Sequence, residues 1–129
     1  MTQEMSDARL QAVLELPPAR RHAWFLQRAR ESGEVWGLYA EGWALALDDE
    51  GRDVLPLWPT STAARLCATH LWEGFEPRLI PLQELLEELL PNLAEEGIPV
   101  GVFFTPQGQG WPVTAAELRA QLLGGGVSA

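Results

Sequence analysis

The chain has 129 residues, 47% of them hydrophobic, and a formal net charge of −9. That length allows one domain with a real core, while no apolar run approaches the roughly 20 residues needed to span a bilayer. The acidity repels phosphate backbones, which argues against a nucleic-acid partner and suits a basic protein partner.

Met1-Thr2-Gln3-Glu4 lacks the basic, apolar and small-residue regions of a secretory leader. The one cysteine, Cys67, excludes an internal disulfide and fits a reducing compartment. A cytoplasmic location is expected. So is a single domain over residues 1–129, ordered from about 6 to 122, with a flexible glycine-rich tail over 124–129.

Ser6 or Asp7 can cap a first helix carrying Leu10, Val13 and Leu14 at helical spacing. Pro17-Pro18 ends it, and Pro18 suits the first turn of a second helix. There His22, Phe25, Leu26 and Ala29 share one face, and Arg21, Trp24 and Arg28 another. Gly33 closes this N-terminal helical hairpin.

Three of the six tryptophans then fall in one stretch, Trp36, Trp43 and Trp58. The stretch reads as a three-strand antiparallel meander. A turn at Glu41-Gly42, with glycine supplying the positive φ, pairs Tyr39 with Ala44 and Trp36 with Leu47. A second turn at Glu50-Gly51 pairs Leu47 with Val54 and Trp43 with Trp58. Both faces of this meander are apolar, so both require cover. Pro56 cannot donate to a ladder and predicts an edge or a bulge in its strand.

Thr60 or Ser61 caps a third helix, with Ala63, Leu66, Cys67 and His70 facing inward. Glu76 to Ile80 is strand-length. Leu82 to Leu93 is amphipathic, with a leucine stripe that Pro91 must kink or split, and Gly97 stops it. Ile98 to Phe104 reads as a strand, Gln107-Gly108 or Gln109-Gly110 as a turn, and Trp111-Pro112-Val113 as a short return strand. Thr114 caps a last helix through Leu122.

The series Trp36-Gly37-Leu38-Tyr39, Gly42-Trp43-Ala44-Leu45, Asp49-Glu50-Gly51 and Leu57-Trp58-Pro59 resembles a bacterial family, the domain of unknown function 2750. Leu66-Cys67-Ala68, Trp72-Glu73-Gly74-Phe75 and Val100-Gly101-Val102-Phe103 extend the likeness over about residues 8 to 122. The resemblance implies a compact cytoplasmic α+β protein and carries over no activity, cofactor or catalytic residue. The expected fold is therefore α+β: the helical hairpin, the meander extended to about five strands, and helices packed on the sheet.

Cys67 and His70 can lie on one helix face, the spacing of an activated thiolate or of two metal ligands. A zinc site needs three or four ligands, and the other histidine, His22, is in a distant segment. A buried thiol on an apolar face packs as a small hydrophobe instead. Asp48-Asp49-Glu50-Gly51-Arg52-Asp53 gathers four carboxylates, yet lacks the calcium-loop spacing and suits an exposed turn. Glu84, Glu87, Glu88, Glu95 and Glu96 read as a solvated helix face, and Thr105 to Gly110 lacks the Lys-Ser/Thr of a phosphate loop. No catalytic residue, metal or cofactor is assigned.

The tryptophans can be core or recognition surface, since aromatics concentrate at interfaces. The binding candidates are Trp36, Tyr39, Trp43, Trp58 and Trp72. Trp72 and Trp111, in connecting segments, are expected to be semi-exposed. The leading expectation is a non-enzymatic interaction module, regulatory, accessory or immunity-like, that binds a protein or its own copy. The alternative is a small-molecule-binding domain or minor enzyme with a pocket near Tyr39, Cys67, His70 and His22.

Overall fold

A computed structural model describes residues 7–48, 50–68, 72–105 and 110–124. The fold is α+β. Its elements are α1 (Asp7–Leu14), α2 (Pro18–Ser32), β1 (Glu34–Tyr39), β2 (Ala46–Leu47), β3 (Asp53–Leu57), α3 (Ser61–Ala68), β4 (Glu76–Pro81), α4 (82–96), β5 (Val100–Val102), β6 (Trp111–Val113) and α5 (Ala115–Leu122).

The helical hairpin forms as the pattern predicts. Pro18 begins α2, and Phe25, Leu26 and Ala29 are buried along its inner face. Arg21 is buried with them, and its Nη1 donates to Leu16 O at 3.1 Å and Leu14 O at 3.4 Å. That guanidinium supplies donors to carbonyls left open after α1 and sits at the negative end of its dipole. At the far end of the chain Thr114 Oγ1 accepts from Glu117 N at 3.0 Å. Glu117 Oε1 accepts from Thr114 N at 3.2 Å, completing a capping box on α5.

α4 is continuous through Pro91. Residues Leu85–Leu89 adopt a π turn, with Leu90 N–H donating to Leu85 O. A wider turn just before a proline relieves the clash and the missing donor that would otherwise kink the helix. The predicted strand at Ile98–Phe104 shortens to Val100–Val102. The predicted turn residues Gln107, Gly108 and Gln109 lie outside the described residues, as do Ser6 and His70.

The meander is the part where the strand pairing differs from expectation. β1 pairs antiparallel with β4, Trp36 opposite Leu79 and Tyr39 opposite Glu76, and these two form one sheet. The second sheet runs β2-β3-β5-β6, with β3 and β5 parallel. The first turn is one residue tighter than predicted: Tyr39 bridges Trp43, and Ala44 N–H donates to Leu38 O at 2.8 Å. Glu41, not Gly42, takes the positive φ, at 65°. The second turn also shifts by one, so Ala46 faces Val54 and Leu47 faces Asp53. A single-residue shift exchanges the two faces of a strand.

Pro56 explains where β3 changes partner. Asp48 and Arg52, then Ala46 and Val54, are the hydrogen-bonded pairs; the next would be Ala44 with Pro56, which has no N–H. The β2 ladder stops there. Two residues on, Trp58 N–H and Trp36 N–H each donate to the other's carbonyl at 2.8 Å, so β1 takes over.

The core is one cluster reaching from Leu10 to Leu122 and includes Val35, Leu57, Trp58, Ile80, Val100, Phe103 and Leu118. Phe104 lies flat across β5: a Cβ on Gly101 would overlap its ring, and one on Gly110 would come within 2.6 Å. Only glycine leaves that seat open. Gly101→Ala is expected to destabilise by about 1–3 kcal/mol through overpacking. The check is a urea midpoint that falls with the transition slope unchanged.

Candidate functional site

The five aromatic candidates divide by exposure. Trp58 is entirely buried; its Nε1 donates to Phe104 O at 3.1 Å. Trp72 is half-buried and meets both Trp58 and Phe104 edge to face, at 5.7 Å and 5.8 Å between centroids. Its own Nε1 donates outward, to Leu45 O at 3.3 Å. Trp36 is half-buried beside Leu79, its cross-strand neighbour, which is 42% exposed. Trp111, semi-exposed as expected, stacks on His22 at 5.6 Å.

Tyr39 and Trp43 form a pair of their own. Their rings meet edge to face at 5.2 Å, and the Arg78 guanidinium lies 4.0 Å over the Tyr39 ring. The seat for Trp43 is Gly37, where a Cβ would approach the indole to 2.9 Å. Register explains the assembly. Residues 37 and 39 of β1 and Arg78 and Glu76 of β4 are directly opposed pairs, so all four project to one side of the ribbon. A guanidinium on an aromatic face contributes about 0.5–1 kcal/mol at an exposed site.

Arg78, Leu79, Leu45 and Leu47 are surface residues that the sequence reading did not single out. Arg78 becomes notable only once β4 is known to lie beside β1, a long-range pairing that no local signal carries. Leu47 in β2 and Leu45 just before it are two residues apart, and the one-residue turn shift decides which way Leu47 faces.

The thiol chemistry is settled by burial. Cys67 is 1% exposed, and its Sγ–H donates to the same Phe104 carbonyl at 3.2 Å. Burial pushes the thiol up to about 12, with the Trp58 side chain pulling the other way by less. A thiolate is the reactive form, so Cys67 is not an activated nucleophile. Tyr39 stands apart on the β1 rim, and His70 lies outside the described residues. Among the described residues no three His, Cys, Asp or Glu side chains form a group that could hold a metal. The Asp48 carboxylate accepts from Glu50 N–H and Arg52 N–H and pairs with the Arg52 guanidinium, as an exposed turn does.

His22 is 7% exposed, and its Nε2 lies 2.8 Å from Gln121 Oε1, so that nitrogen donates. Nδ1 is buried with no partner. Burial lowers the imidazole pKa, the Gln121 hydrogen bond opposing by less.

The model of a family described as protein of unknown function, DUF2750, matches residues 22–122. The chain belongs to that family. The match begins within α2, at His22, and runs to the end of α5, leaving α1 outside it. No curated protein and no solved structure matches the chain. No helix among the described residues is long and apolar enough to cross a membrane.

Two expectations follow. Folded protein at about pH 8 does not react with a thiol reagent at Cys67, and reaction in urea tracks the unfolded fraction; prompt labelling without denaturant contradicts the buried, donating thiol. For His22 the depressed folded pKa makes neutral imidazole the stabilising form. That contribution is complete above the ordinary value of about 6.5 and is lost as pH falls toward the lower folded value. Urea midpoints between about pH 7.5 and 5.5 fall for the wild type, and His22→Gln flattens the slope.

Proposed function

We propose that this chain is a single-domain, cytoplasmic protein-interaction module of a bacterial cell, regulatory or immunity-like. It binds a basic protein through the semi-exposed aromatics of its sheets. One observation carries the reading. A tryptophan, a tyrosine and an arginine, Trp43, Tyr39 and Arg78, stack against one another at the surface, and these residue types dominate binding energy at interfaces. Gly37 holds the trio in place before any partner arrives, which lowers the ordering cost of association. Trp36 and Leu79 extend apolar surface on the opposite side of the same ribbon.

Charge adds direction. A net −9 speeds encounter with a basic partner and slows encounter with an acidic one, more so at low salt.

The test is affinity capture on immobilised chain. A basic protein is expected at stoichiometric yield near about 0.05 M salt and at reduced yield near about 0.5 M. The double variant Tyr39→Ala, Arg78→Ala weakens that capture by about 2 kcal/mol, roughly thirtyfold, with an unchanged melting curve. Recovery of no stoichiometric partner from a strictly monomeric chain overturns the reading.

A further inference from the structure

The two sheets have four outer edges among the described residues; that of β1 is taken up by the bonds of Trp36 with Trp58 and of Leu38 O with Ala44, which leaves those of β4, β6 and β2. The hydrogen bonds fix which backbone groups point outward on each. Leu82 N–H donates to Gly33 O, so the even-numbered residues of β4 face β1 and residues 77, 79 and 81 face away. Two of those three are Pro77 and Pro81. On the other sheet, Leu55 N–H donates to Pro99 O and Phe103 N–H to Leu57 O, which turns Val100 and Val102 toward β6. The outward residue in the middle of β6 is then Pro112. A proline at such a position removes the donor that an added strand requires.

β2 lacks this protection. Asp48 pairs with Arg52 and Ala46 with Val54, so the N–H and C=O of Leu47 point away from β3. No proline interrupts residues 43–48. Leu47 is 69% exposed, and Leu45, just before the strand, is 44% exposed. Trp72 closes the upstream end through its bond to Leu45 O, leaving the Leu47 end open. A hydrophobic edge left open where the other two are blocked is a template for another strand.

We propose that the β2 edge receives an extended segment of a protein partner as an added strand. That segment is apolar at alternate positions and carries Lys or Arg beside the 48–53 turn. Leu45 and Leu47 meet its apolar side chains. The 48–53 turn holds four carboxylates against Arg52 alone, which pairs with both Asp48 and Glu50, so the turn keeps a net negative charge toward the segment's cations; Asp53, one strand further in on the Leu47 face, adds to that field without contact. Charge selects this occupant over a second copy, because two chains of net charge −9 repel. The inference rests on the interaction-module reading for the partner's charge and adds the mode of docking.

The probe is a blocked hexapeptide of alternating lysine and valine, with the same peptide N-methylated on its outward amides as control. Main-chain bonds carry affinity in this mode, so a generic strand suffices. Saturable binding at low salt is expected, with the Leu47 amide resonance shifted and slowed in exchange. N-methylation and Leu47→Pro each weaken binding by at least about tenfold. The Leu47 N–H makes no bond within the sheet, so Leu47→Pro is expected to melt near the wild type; should it not fold, the N-methylated peptide on wild-type chain decides. No binding, or binding indifferent to N-methylation, overturns the proposal. So does self-association of the chain that Leu47→Pro abolishes. If the captured basic partner of the preceding test is held equally by Leu47→Pro, the module reading stands and the edge falls. If the peptide binds but no partner is captured, the edge stands alone.

Discussion

Trp58 joins several parts of this molecule through both its backbone and its indole. Its backbone exchanges two hydrogen bonds with Trp36, and that pair is what links the β1–β4 ribbon to the four-stranded sheet. Its indole N–H shares the Phe104 carbonyl with the Cys67 thiol, tying β3, the chain after β5, and α3 to one acceptor. That carbonyl is held where both donors reach it because Phe103 just before it takes a φ of 55°, uncommon for a bulky residue and sustained here by complete burial. Removing the indole leaves a buried acceptor underused and opens a large cavity, two costs that add.

Proline organises the strands as much as apolar patterning does. Pro56 ends one ladder and thereby makes room for the Trp36–Trp58 junction. Pro77, Pro81 and Pro112 occupy outward positions on two edges, where losing an N–H costs the fold nothing and denies a donor to other chains. Pro91 is absorbed by a π turn. In each case one absent N–H has a different consequence, decided by which way that group would have pointed.

The candidate surface follows from the same geometry. Trp43 can lie on β1 only because residue 37 has no side chain, and Arg78 reaches Tyr39 only because β4 is antiparallel to β1 in that register. Function, on this reading, depends on aromatics whose rings are half-covered by the protein's own packing and so are ordered in advance. The ionisable groups that suggested chemistry are committed elsewhere: Cys67 to a carbonyl, and Asp48 to its turn.

What the sequence determined was local. Helical spacing, the caps at Thr60 and Thr114, the α2 face through His22, Phe25 and Ala29, and the α+β class depend on periods of a few residues, and all are present. The family likeness was legible too, from the Trp-Gly-Leu-Tyr to Trp-Pro block. Strand partners were not legible. Tyr39 next to Ala44 or next to Trp43 satisfies the same alternation, and nothing near β1 announces that residues 76–81 will lie beside it. Tertiary structure alone chose among those pairings, because burial of Val35 against Ile80 and of Trp58 beneath Trp72 is a property of segments far apart in the chain. Hence which indoles are core and which are surface was decided by packing.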